Sequence, residues 1–286
     1  HSSSAASDVY KRQKITMGDI VTMDDLTNQE IVAVLDDAER LVPVARGDVY
    51  LPLLQGKVLA NMFFENSTRT RMSFETAMKR LGGSVLNFTS IGTSVAKGET
   101  LYDTMQMIDG YADVAAIRHP RQGAAQYSAD AVEIPILNAG DGAGNHPTQT
   151  MLDLFTIRQA HGTLEGLNVV FVGDLRYGRT VHSLSHALVR FGAKLTLVSP
   201  STLKMPVEIV SDLREHGSEI METDSLEDQI AGADVIYVTR IQKERFPDED
   251  EYAKVAGIYK IGASDLSGAM KGMIIMHPLP RVDEID

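Results

Sequence analysis

Apolar positions along the chain follow two alternating rhythms. Short unbroken runs read as buried strands: Val58-Leu59-Ala60-Asn61-Met62-Phe63-Phe64, Ser84-Val85-Leu86-Asn87-Phe88, Val114-Ala115-Ala116-Ile117 and residues 134–137. Between them, apolar side chains recur every three or four positions, as helices require. Ile31, Val34, Leu35, Ala38 and Leu41 follow a Thr27/Glu30 capping box. A segment of helix formers from about Ser67 stops at Gly82-Gly83, Leu101, Met105 and Ile108 mark a third face, and 122–131 predicts another helix. Pro147 suits a helix N1 position, and the helix it opens runs to about Ala160, ended by Gly162. The alternation then restarts with strands at 169–172, 195–198, 220–221, 235–238 and 273–276, and helices at 179–191, 206–216 and 225–231. Strand–helix alternation of this kind predicts α/β architecture with parallel sheets covered on both faces. The break at 147–162 predicts two doubly wound domains joined by a helix.

Polar clusters follow the strands rather than scatter. They lie at 67–71, 93–97, Arg118-His119-Pro120, His146-Pro147-Thr148-Gln149, Gly178-Arg179-Thr180, Thr239-Arg240-Ile241-Gln242 and His277-Pro278-Leu279-Pro280-Arg281. Open α/β sheets bind ligands at the carboxyl ends of their strands. Residues 65–71, Glu-Asn-Ser-Thr-Arg-Thr-Arg, hand a strand to a helix with two arginines in the first turn. That end of a helix is already positive, so arginines there are a poor choice for stability alone. They make sense if an anion docks at the helix start. The alternative is a Ser/Thr cap flanked by solvated arginines.

Charge narrows the choice of partner. The formal net charge is −12 over 286 residues, which argues against nucleic acid or an anionic membrane as the main partner. Any anion site must therefore concentrate positive charge locally, and Arg69, Arg118, Arg179 and Arg240 all stand at strand ends or helix starts. The hydrophobic fraction of 43% and charged fraction of 23% are those of a globular protein. No apolar run approaches membrane-spanning length, and no charged-then-apolar signal opens the chain. Cysteine is absent, which removes thiolate metal sites and a cysteine nucleophile and suits a reducing cytoplasm. Residues 1–13, Ser/Ala-rich at the start, read as a disordered or extraneous leader.

Three motifs invite other readings. Residues 173–180, Gly-Asp-Leu-Arg-Tyr-Gly-Arg-Thr, nearly match a nucleotide-binding P-loop, but Arg replaces the Lys and Asp174 stands where it would repel phosphate. The glycines at 140, 142 and 144 follow a strand without the spacing of a dinucleotide fingerprint. His182 and His186 have metal-ligand spacing, yet no accompanying HExxH glutamate or Cys, and packing is the favoured reading; no metal or cofactor is expected. His146, in a Gly-rich loop beside Pro147, is either a satisfied, capping histidine or a hydrogen-bond donor to a carbonyl oxygen, with Gln149 on the same helix face.

Phe64-Glu65-Asn66-Ser67-Thr68-Arg69-Thr70-Arg71 resembles the carbamoyl-phosphate signature of the transcarbamoylase family. Lys97-Gly98-Glu99, His146-Pro147-Thr148-Gln149, the 173–180 segment, Thr239-Arg240-Ile241-Gln242-Lys243-Glu244-Arg245 and His277-Pro278-Leu279-Pro280-Arg281 are similar to the catalytic chains of its aspartate-specific branch. The ornithine-specific branch carries Cys after the proline of its histidine motif and in a His-Cys-Leu-Pro motif; here Thr148 and Pro278 stand in those places. The similarity runs from about Ile20 to the last residue.

The resemblance implies transfer of the carbamoyl group of carbamoyl phosphate to L-aspartate in pyrimidine biosynthesis, with no cofactor. It implies a carbamoyl-phosphate-binding domain at 14–146, a linking helix at 147–162 and an aspartate-binding domain at 163–286 that lacks the final C-terminal helix of family members. By the same resemblance Ser67, Thr68, Arg69, Thr70 and Arg118 hold the phosphate. Thr70, Arg118 and His146 address the carbonyl oxygen, while Gln149 and the backbone of Leu279 and Pro280 address the carbamoyl NH₂. Arg179, Arg240 and Gln242 hold the aspartate carboxylates. Lys97 comes from a neighbouring subunit in a homotrimer with shared sites and reaches both substrates; Thr93, with Ser94 following, replaces the Ser that opens its loop in the family. Regulatory chains are possible partners. An ornithine-type acceptor and a catalytically silent subunit are the rival readings. The complete set at 69, 97, 118, 146, 179 and 240 favours an active enzyme.

Overall fold

The computed structural model describes residues 18–89, 94–142, 144–241, 252, 255, 257–282 and 284–286. The predicted leader at 1–13, together with Thr93 and Gln242, lies outside the described residues. The chain divides into two compact units, one ending at Met151 and the other starting at Leu152. The division falls inside the helix Pro147–His161.

The first unit is built on a four-stranded parallel sheet in the order β2-β1-β3-β4. Its strands are β1 (Val58–Phe63), β2 (Ser84–Thr89), β3 (Val114–His119) and β4 (Ile136–Asp141). Strand side chains alternate between faces, so the sheet needs cover on both. On one face Ala60, Met62, Ala115 and Ile117 pack with Met105 and Ile108 of the helix Leu101–Asp109 and with Ala125 of the helix Ala124–Ala129. On the other, Leu59 and Ala116 pack with Met78 and Phe74 of the helix Arg69–Arg80. Asn61 interrupts the apolar run of β1 and is fully buried. Its Nδ2 donates to the Arg71 carbonyl (3.1 Å) and to Asn87 Oδ1 (3.1 Å), tying the first turn of that helix to the sheet.

Strand β4 differs from its predicted span of 134–137. Pro135 has no N–H to give, and the Glu133 and Ile134 amides donate to Asp109 Oδ1 instead (3.0 and 3.1 Å). Pairing therefore starts at Ile136 and runs into the small residues Ala139 and Gly140. The helices predicted at 122–131 and 225–231 are shorter, Ala124–Ala129 and Glu227–Ile230.

The second unit carries a five-stranded parallel sheet in the order β7-β6-β5-β8-β9. These strands are β5 (Asn168–Val172), β6 (Lys194–Val198), β7 (Ile220–Thr223), β8 (Val235–Val238) and β9 (Ile274–Met276). Every residue of β8 is buried, as a strand covered on both faces must be. Tyr237 at its centre meets the Phe171 ring edge-on at 5.6 Å and donates its hydroxyl to buried Asp153 Oδ2 at 2.8 Å.

Both sheets reverse their direction of winding once. In the first, the chain moves outward from β1 to β2, then returns to place β3 on the other side of β1. In the second, it runs β5, β6, β7 and returns to place β8 beside β5. The crevice at such a reversal is where doubly wound sheets accept ligands.

The histidines with metal-ligand spacing are occupied by protein groups. In the helix Arg179–Val189, His182 Nε2 donates to the Leu175 carbonyl at 2.8 Å, and His186 Nδ1 lies 3.1 Å from Asp212 Oδ2. Burial holds the His182 ring below the usual histidine range of about 6.5, so the folded state favours its neutral form. Its contribution to stability is full above the unfolded value and is lost as pH falls through the lower folded one. His182→Gln keeps an N–H for Leu175 without the titration. Urea unfolding between pH 7 and pH 5 is expected to lose less stability in this variant than in the parent; identical losses contradict the assignment.

Candidate active site

At the first reversal, β1 leads through Glu65 into the helix Arg69–Arg80. Thr68 occupies the N-cap position in αR conformation, its side chain makes no capping bond, and the first turn contains no acid. A helix start so composed keeps its positive end uncompensated by its own capping residue. Arg69 and Thr68 are exposed there, while Ser67 and Thr70 are half-buried. Arg71 is half-buried and acts electrostatically on Glu75 of its own helix. Glu75 is held below the usual carboxylate range mainly by Lys79 (2.6 Å), then by the Asn87 amide, with a smaller contribution from Arg71.

Arg118, near the end of β3, is paired in register with Phe63 of β1. Its side chain is only 12% exposed, with Nε 3.2 Å from Glu65 Oε2 and Nη1 donating to the Ala139 carbonyl at 3.3 Å. The guanidinium is thus held over the carboxyl ends of β1, β3 and β4 in a rigid planar fork suited to an oxyanion. Glu65 has no role predicted from the sequence; its place in the signature, between a strand and Arg69, is the signal that points to it.

Past β4, Asp141 organises the turn that presents His146. Its Oδ1 accepts from Asn145 N (2.9 Å) and Asn138 Nδ2 (3.1 Å), and its Oδ2 from Gly123 N (2.7 Å). His146 is buried at the start of the helix Pro147–His161. Its Nδ1 accepts from Gln149 N and lies against Thr148 Oγ1, both at 3.3 Å. The ring therefore does the work of an N-cap residue, which puts the proton of the neutral imidazole on Nε2. A donor nitrogen held by its own helix start is what polarising a carbonyl oxygen requires. Lys97 is exposed at the end of the short 3₁₀ turn Ser94–Lys97, after β2.

At the second reversal the exits of β5 and β8 come very close. A Cβ on Gly173, whose φ is +119°, would stand 2.2 Å from the Thr239 carbonyl oxygen, so only glycine fits. Thr239 Oγ1 shares its proton between the Val172 and Asp174 carbonyls, 3.3 Å each. Asp174 is fully buried, and its Oδ1 accepts from the N–H groups of Arg176 (3.2 Å) and Tyr177 (2.9 Å). The carboxylate thereby occupies the donors that a P-loop would offer to phosphate, which removes the physical basis for a nucleotide site here. Arg179 opens its helix behind Gly178, which offers no capping side chain, and Arg240 follows Thr239; both are half-buried. Past β9, Leu279 has φ +57°, and the Leu279–Pro280 peptide is cis. That left-handed backbone costs a non-glycine residue on the order of 1–2 kcal/mol, so its surroundings must hold it.

Each sheet thus gathers its polar groups on the ends of three neighbouring strands. In the first unit these are Ser67–Thr70 after β1, Arg118 on β3, and His146 with Gln149 after β4. In the second they are Arg179 after β5, Arg240 after β8, and Leu279 with Pro280 after β9.

Comparison with known proteins gives a consistent result in both units. Residues 18–159 match the family description "Aspartate/ornithine carbamoyltransferase, carbamoyl-P binding domain". Residues 165–286 match "Aspartate/ornithine carbamoyltransferase, Asp/Orn binding domain". The aspartate carbamoyltransferase catalytic subunit of Archaeoglobus fulgidus is 53% identical over 270 residues, covering 94% of this chain and 89% of the relative. Among solved structures, the catalytic subunit of M. jannaschii aspartate transcarbamoylase has a TM-score of 0.87 at 51% identity, covering 94% of this chain and 88% of that one. Aspartate transcarbamoylase from Trypanosoma cruzi, in complex with carbamoyl phosphate and aspartate, has a TM-score of 0.89 at 41% identity, with coverage of 94% and 88%.

Proposed function

The chain belongs to the aspartate/ornithine carbamoyltransferase family, and we propose that it works as an aspartate carbamoyltransferase whose two switch-point clusters each hold one of the two anionic substrates. It transfers the carbamoyl group of carbamoyl phosphate to the amino group of L-aspartate, giving N-carbamoyl-L-aspartate and phosphate, a step of pyrimidine biosynthesis. The observation that carries the site reading is the recurrence of arginine at both reversals, 69 and 118 in the first unit and 179 and 240 in the second.

Ser67, Thr68, Arg69, Thr70 and Arg118 bind the phosphate of carbamoyl phosphate. The amide N–H groups at the start of the helix Arg69–Arg80 add to these side chains. Thr70, Arg118 and His146 Nε2 donate to the carbonyl oxygen, and Gln149 with the Leu279 and Pro280 backbone accepts from the NH₂. Arg179, Arg240 and Gln242 bind the two aspartate carboxylates, with Lys97 reaching both substrates beside Thr93. The aspartate amine attacks the carbamoyl carbon, its carbonyl oxygen takes up negative charge, and the bond to the phosphate oxygen then breaks. A fixed donor at such an oxygen is typically worth about 3 kcal/mol, the contribution assigned to His146. The departing phosphate accepts the amine proton, so the scheme needs no protein base.

The domain limits proposed are 14–146 and 163–286, with 147–162 as the linking helix. Assembly as a homotrimer with Lys97 contributed across subunits, a cytoplasmic location and association with regulatory chains complete the proposal. The "catalytic subunit" names of the relatives support the last of these.

A carbamoylation assay with a panel of amino acids tests the activity. Aspartate should be the accepted amine and ornithine should give no product above background; carbamoylornithine as the main product overturns the reading. Shared sites predict complementation. An inactive Lys97→Ala chain mixed with an inactive Arg69→Ala chain regains part of the activity as subunits exchange. No recovery in an exchanged mixture excludes sharing through Lys97.

A further inference from the structure

The turn after β9 holds a left-handed residue that is half exposed, Leu279, and something must keep it there. Two buried groups converge on it from inside the second unit. His277 Nδ1 accepts from the Leu279 N–H at 2.8 Å. His277 Nε2 lies 3.8 Å from Glu284 Oε2, with the two side chains only 6% and 8% exposed. The same Glu284 oxygen accepts from Val282 N at 2.8 Å, and the Glu284 carbonyl accepts from Ile261 N at 2.9 Å. Glu284 is therefore anchored to the body of the unit, and its carboxylate faces the ring from the side opposite Leu279.

An accepting Nδ1 places the neutral ring's proton on Nε2, toward that carboxylate. The peptide plane that turns the Leu279 N–H inward to the ring turns the Pro278 carbonyl, trans to it, away from the ring and so fixes the start of the turn. We propose that His277 and Glu284 are positioning residues that lock the Leu279–Pro280 turn so that its carbonyls read the carbamoyl NH₂ of the substrate. The pair touches no reacting atom. Its effect is specificity for an NH₂-bearing phosphate over bare phosphate. This inference rests on the carbamoyl-transfer reading above, and wild-type activity toward aspartate tests that reading separately.

Substitution distinguishes which ring nitrogen matters. An Asn side chain sets its oxygen near the place of Nδ1, whereas Gln reaches only to the place of Nε2. In the full-length assembled enzyme, His277→Gln is expected to raise the KM for carbamoyl phosphate about tenfold, the loss of roughly one hydrogen-bond equivalent. His277→Asn recovers most of that loss. In both variants the inhibition constant of inorganic phosphate, which has no NH₂ to read, stays within twofold of wild type. Should the His277 variants fail to fold, Glu284→Gln carries the test, because it keeps an oxygen for Val282 N and withdraws the charge facing Nε2. It should raise the carbamoyl-phosphate KM severalfold with phosphate inhibition unchanged. The proposal is overturned if Gln rescues as well as Asn, if phosphate inhibition weakens in parallel with the KM, or if Glu284→Gln leaves the KM unmoved when it alone can be measured.

Discussion

All strands of each sheet run parallel, so every strand delivers its carboxyl end to the same edge, and the chain can leave that edge in only two directions. Where the direction changes, between β1 and β3 and again between β5 and β8, the two connections part and leave a crevice. The rest of the site follows from that constraint. Residues at the crevice are carried by strands whose own backbones are fully committed to ladders, so their side chains start from fixed positions. Helix starts face the same edge, and their amide N–H groups add positive potential. Arginine placed at each reversal is the basis of the two anion sites proposed.

Keeping arginine there in a chain of net charge −12 needs local compensation. Arg118, nearly buried, is held between Glu65 and a backbone carbonyl rather than left to solvent. A buried charge with such partners has little conformational freedom to lose when a ligand arrives, which favours binding and orientation together. Other carboxylates do purely structural work. Asp141 and Asp174 satisfy backbone N–H groups of the turns that present His146 and Arg179, and this keeps their negative charge engaged by the protein. The arrangement separates acids that shape loops from the arginines proposed to meet substrate.

Much of this is legible in the amino-acid sequence. Unbroken apolar runs marked the strands and period-3.6 patterning the helices, and the polar clusters just past those runs stand at the carboxyl ends of the strands. What escaped was set by contacts between segments far apart in sequence. Strand β4 slipped to Ile136–Asp141 because Asp109 takes the amides before Pro135, a pairing no local pattern announces. The order of strands, and with it which arginines share a reversal, was not readable from periodicity at all. Glu65 became visible as the partner of Arg118 only through the parallel pairing of β1 with β3. His146 has two readings, cap or donor, and the geometry shows the first: the ring caps with Nδ1, which leaves Nε2 to carry the proton of the proposed donor.

The central claim is that each reversal serves one anion. Its most direct test is a crossed measurement of inorganic-phosphate affinity and the aspartate KM at saturating carbamoyl phosphate, in Arg69→Ala and in Arg240→Ala. A charge-assisted bond is worth about 1.5–3 kcal/mol, or at least roughly tenfold. The account predicts that Arg69→Ala weakens phosphate by that factor and leaves the aspartate KM within a few-fold, while Arg240→Ala does the reverse. Equal loss of both affinities in both variants would contradict it.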